Sequence, residues 1–198
     1  MKPLFAKGVD AESVLAQPAD AGDRELAVAG ADSLFAAGQP LFCSQADGAG
    51  AEYLGLIEAV GSDSLTTAFA LATAKASGAR VWTPLRWLPW PVGRSAPLRR
   101  VFDSGVEVQR SAGGVLYHTR LRDPFVEEAW VFERIPRAAF EAWRQWFLES
   151  LAEGFASFTV VDEERHISLA RIADARIEES EAPAGVARVE LRLAVASG

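Results

Sequence analysis

Near the end of this chain, over residues 186–197, Val189, Leu191, Leu193 and Val195 alternate with Arg188, Glu190 and Arg192. A period of two predicts a strand with one face in a core and one face wet or at an interface. Shorter runs bounded by turn residues predict further strands at ELAVAG (25–30), QPLFCS (39–44), AEYLGLIEAV (51–60) and ARVWTP (79–84). In AEYLGLIEAV, Tyr53, Gly55, Ile57 and Ala59 alternate with Glu52, Leu54, Leu56 and Glu58, so the centre is apolar on both faces, which suits a small closed barrel. LTTAFALATAKASGA (65–79) is ambiguous: Leu65, Thr67 and Phe69 suggest a strand, and ATAKASG then suggests a helical turn that Gly78 stops. GVEVQRS and VLYHTRL, joined at AGG, predict a hairpin. FVEEAWVFERI predicts a strand with Val126, Trp130 and Phe132 on one face and Ala129, Val131 and Ile135 on the other, and SFTVVD and HISLARIADARIE predict two more.

The period changes once. In PRAAFEAWRQWFLESLAEG, Phe140, Trp143, Phe147 and Leu151 recur every three or four residues, predicting a helix over 136–153 whose packing face they form. Pro136 suits the first turn, where a missing N–H costs nothing, and Gly154 suits the position just past the end. The expected fold is therefore mainly β (α+β): a small N-terminal β-barrel, then a β-sandwich or barrel with one packed amphipathic helix.

The character shifts at PLRWLPWPVGRSAP, whose four prolines exclude a central strand. The expected division is a barrel over 1–84, a Trp- and Pro-rich connector over 85–100 that lies against something, and a helix-bearing domain over 101–198.

Composition changes this picture mostly by exclusion. The 198 residues are 49% hydrophobic and carry a formal charge of −7, which argues against nucleic-acid recognition. No run is long and apolar enough for a membrane span or a signal peptide, so a soluble protein made in the cytoplasm is expected. One cysteine, Cys43, and two separated histidines, His118 and His166, leave few metal ligands; no cofactor is expected, and Cys43 reads as a buried apolar residue. No nucleophile elbow, phosphate loop or dinucleotide fingerprint appears, and the sequence reads as a non-enzyme.

Six tryptophans stand out. Trp87 and Trp90 in the proline-rich stretch offer a protein-interface anchor, a sugar-stacking platform or a fold-back onto their own domain. Arg94, Arg99 and Arg100 beside them suit a carboxylate-rich protein neighbour or solvent rather than DNA. Arg188, Glu190 and Arg192 form either a solvated face or, in a ring, a seam between subunits.

The order of hairpin, long strand, amphipathic helix and three strands, carried by FDSGVEVQRSAGG, by EEAWVFERIPRAAFEAWRQWFLESLAEGFASFTVVDEERHISLARI and by ARVELRLAVAS, resembles the β-sandwich-plus-helix module of bacteriophage and prophage tail proteins. Phe132, Phe140, Trp143, Phe147, Gly154, Phe158 and Asp162 occupy that pattern, over roughly residues 100–198. The N-terminal half is similar to a small β-barrel of phage structural proteins. The resemblance implies a ring-forming component of a virion tail, assembled in the host cytoplasm. A distal or minor tail protein would join the tube to a hub or tape-measure protein as a trimer or hexamer; a tail terminator or head-tail connector is the alternative within that group. The alternative outside it is a carbohydrate-binding module using Trp87 and Trp90.

Overall fold

Alternation and turn residues together produce a mainly β chain. A computed structural model describes residues 2, 4–90, 93, 99–103, 106–110, 116–120, 125–151, 157–179 and 186–196, the backbone alone at 99, 102–103, 106–110, 116–120, 125, 147–151, 173–179, 186–187 and 196. In chain order the elements are β1 Leu4–Lys7, β2 Ala11–Val14, β3 Glu25–Ala27, α1 Ala31–Leu34, β4 Pro40–Ser44, β5 Glu52–Val60, β6 Ser64–Thr67, β7 Arg80–Thr83 and β8 Arg86–Pro89. They continue with β9 Arg99–Asp103, β10 Val106–Arg110, β11 Leu116–Arg120, β12 Phe125–Pro136, α2 Arg137–Leu151, β13 Phe158–Val161, β14 Ile167–Glu179 and β15 Val186–Ala196.

Two compact units emerge, one holding the chain up to Pro89 together with Phe158–Ile167, the other holding Trp90–Ser157 and the chain from Ser168 onward. The sequence division at 84 and 101 differs from this in that β13 and its following turn return to the first unit. Prolines also do not keep Arg86–Pro89 out of a sheet: β8 ends the order β8-β1-β13, an edge position that tolerates Pro89.

In the first unit, six antiparallel strands run in the order β2-β7-β4-β5-β6-β3. A bridge between Leu15 and Val28, with the Ala16 N–H donating to the Ala27 carbonyl at 2.8 Å, joins the two ends and closes a small barrel. Leu26, Leu41, Cys43, Leu54, Ile57, Leu65 and Val81 fill its interior. Phe42 and Tyr53, the neighbours of Cys43 and Leu54, join a second cluster with Leu4, Ala6 and Val161 of β1 and β13. β5 is therefore apolar on both faces because one lines the barrel and β1 and β13 cover the other, not because of closure alone. The ambiguous stretch after Ser64 resolves as a strand, β6, followed by a non-helical loop; Ala19 and Lys75 bond reciprocally there, N–H to carbonyl, at 2.9 and 2.8 Å.

In the second unit the sheet order is β14-β15-β12-β9, with β10 and β11 as a separate antiparallel hairpin whose tip lies outside the described residues. Val189, Leu191, Leu193 and Val195 are buried, as the period of two requires. β12 departs from its expected alternation. Its register to β15 shifts between Phe132 and Ile135, and Arg134 adopts φ 57. That bulge sets two residues against one and turns Ile135 onto the face of Phe132; both are fully buried. α2 starts one residue later than predicted, Pro136 being the last residue of β12, and it packs on β12 and β15. Phe140 and Trp143 of its predicted face are buried; the side chains of Phe147 and Leu151, and Gly154, lie outside the described residues.

Candidate binding groove

The residues proposed for binding separate into different environments. Trp90 has no exposed surface: its ring centroid lies 4.5 Å from that of Phe132 and 5.2 Å from that of Trp143. Of the three readings offered for Trp90, this burial fits the fold-back and corrects the interface anchor and the sugar platform, because a ring enclosed by two aromatic neighbours has no free face. Trp87 is half-buried on β8 and packs against the Leu4 and Tyr53 cluster of the first unit.

The basic candidates are largely matched by carboxylates. The exposed Arg100 Nε donates to buried Glu128 at 2.8 Å, and Glu128 also accepts from the Trp130 indole at 3.0 Å. Arg188 lies 3.7 Å from both Glu133 and Glu190, while Arg192 lies 3.8 Å from Glu127 and 3.9 Å from Glu190. The polar face of β15 is thus a ladder of partly exposed ion pairs, each worth about 0–1 kcal/mol. Arg94 and the side chain of Arg99 lie outside the described residues.

What the structure adds is a groove of about 650 Å³ on the first unit. Leu4, Tyr53, Leu56, Phe69, Trp87 and Pro89 line it, with Lys2 and Glu58 as its charged residues. Leu56 is 41% exposed, unusual for a leucine flanked by buried strand residues. Gly55 permits this shape: at φ 80, a Cβ there would lie 2.7 Å from the Ala68 Cβ and 2.9 Å from the Phe69 ring. A glycine inside a strand is the one sequence signal for such a close approach; the remaining wall comes from β1, β8 and the loop after β6, which no local pattern unites. The Arg24 guanidinium holds Glu58 at 2.7 Å. Arg165, at φ 72 in the turn after β13, places its guanidinium 5.2 Å from the centre of the Phe69 ring.

No family model matches the chain, and no curated protein matches its sequence.

Other polar clusters are used structurally. Asp162, Glu164 and His166 offer donor atoms within 4.8 Å of one another. Asp162 Oδ1 accepts the backbone N–H groups of Glu164 and His166 at 2.9 and 2.8 Å, so this carboxylate shapes the turn, and His166 sits exposed at its end. Lys75 is buried with its Nζ on the Gly50 carbonyl at 2.7 Å, Glu52 at 2.8 Å and the Thr73 hydroxyl at 3.0 Å. Glu52 accepts in addition from the Ala72 and Thr73 N–H groups and the Thr73 hydroxyl. Burial pushes the Cys43 thiol up to about 11, far from a reactive thiolate.

Proposed function

We propose that the chain is a structural component of a phage or phage-like tail, a distal or minor tail protein that assembles with copies of itself and holds a neighbouring tail protein. Support comes from the residue pattern shared with such proteins and from the mainly β fold with a helix docked through Phe140 and Trp143. The observation that carries the reading is the place of β9 at the end of the order β14-β15-β12-β9. Among the described residues β9 pairs only with β12, and Val101 at its centre is 49% exposed. An edge strand of this kind is a template for pairing with another chain. A two-ring sugar platform receives no such support, since Trp90 is enclosed.

Light scattering coupled to size exclusion, over a concentration series, tests this. A discrete trimer or hexamer that Val101→Lys converts to monomer is the expected result. A monomer at every concentration that also fails to co-assemble with a tail tube protein overturns the reading.

A further inference from the structure

We infer that the groove walled by Trp87, Leu56 and Phe69 is a docking site for an extended, acidic-apolar segment of a partner protein. Three observations converge on that occupant. The lining is apolar and aromatic over about 650 Å³, room for large side chains rather than for a hydrated sugar. The charges are unequal: Glu58 is already held by Arg24 at 2.7 Å, whereas exposed Lys2 has no ion pair among the described residues. The groove therefore presents one uncompensated ammonium, and a carboxylate on the occupant answers it. Finally, Trp87 and Pro89 belong to β8, whose one hydrogen-bonded neighbour among the described residues is β1. A strand edge beside an apolar groove receives an extended backbone on one side and its alternate side chains on the other.

This inference rests on the assembly reading only in taking the occupant to be protein, and it uses a different strand from β9. A groove that fails with the oligomer intact leaves the proposed function standing, and the reverse outcome leaves the groove standing.

The test is selection of a randomised heptapeptide display library on the full chain, with counter-selection on Leu56→Glu. Leu56 is already exposed, so that variant keeps the fold. The expected result is enrichment of sequences pairing a large apolar residue with Asp or Glu. A synthesised winner should lose detectable binding to Leu56→Glu and bind Lys2→Glu about fivefold more weakly, the effect of one exposed charge. No enrichment over Leu56→Glu overturns the inference, as does enrichment of apolar peptides without acidic residues or with unchanged affinity for Lys2→Glu. Two further outcomes also overturn it: decanoate filling the groove with no peptide enriched, which makes the occupant a small amphiphile, and Leu56→Glu dissociating an oligomer, which makes it a second copy.

Discussion

The indole of Trp90 meets that of Trp143 edge to face, with ring centroids 5.2 Å apart and planes at 89°. Phe132 closes another side at 4.5 Å, so the first residue of the second unit is an anchor of its core. Trp90→Ala is expected to cost that unit about 3–5 kcal/mol, the range for truncating a buried aromatic. Hydrogen exchange across Phe125–Leu151 reads the loss locally, without mixing in the first unit. Unchanged protection there would mean that the Trp90 ring is not part of this core.

Gly55 and Ala68 define the floor of the groove by their close approach. Gly55→Ala forces a Cβ to within 2.7 Å of the Ala68 Cβ at φ 80. A strained backbone position of this type costs about 1–3 kcal/mol. Thermal unfolding followed at the barrel should show a lower midpoint, and the double variant Gly55→Ala with Ala68→Gly should recover only the clash with Ala68, because the Phe69 ring still lies 2.9 Å from the added Cβ. Wild-type stability in Gly55→Ala would show that β5 does not pass Ala68 so closely.

These two sites mark what the sequence makes legible. β15 and α2 are readable because a single period runs uninterrupted through each, and burial follows it at the described positions, Val189, Leu191, Leu193 and Val195 of β15 and Phe140 and Trp143 of α2. Alternation alone puts Ile135 on the wrong face, because one extra residue at Arg134 inverts the face of every residue after it, and no local residue preference announces that bulge. β13 is recognisable as a strand, but its antiparallel pairing with β1, Leu4 opposite Val161, joins the chain's first quarter to its last and leaves no local trace. Trp90 lies in a proline-rich stretch with no periodicity, so its burial comes entirely from tertiary packing. The groove was invisible for the same reason, being assembled from several short segments.

Cys43 faces the barrel interior with no exposed surface, and burial holds its thiol at about 11. Titration with a water-soluble disulfide reagent at pH 8 should give negligible reaction in the folded protein and one equivalent after denaturation. Fast native reaction would place Cys43 outside the core and undo the assignment of β4 as a strand buried on both faces.

Lys75 and Glu52 form the buried charge pair that fastens the loop after β6 to β5, at 2.8 Å with the lysine side chain wholly enclosed. Breaking such a pair from one side leaves a buried charge, so Lys75→Met is expected to cost about 3–5 kcal/mol. Lys75→Met with Glu52→Gln should cost less than the lysine change alone. Burial by itself raises the Glu52 pKa; hydrogen bonds from Lys75, Thr73 and Ala72, with the Lys75 charge, outweigh it and hold the carboxyl below its ordinary 4.5. A carboxyl lowered on folding contributes stability that is full above its unfolded value and fades as pH falls through the lower folded value. Urea midpoints measured from pH 7 to pH 3 should therefore drop more steeply in the wild type than in Glu52→Gln. Parallel curves would mean that Glu52 titrates as it does in the unfolded chain, which is incompatible with the four hydrogen bonds it accepts here.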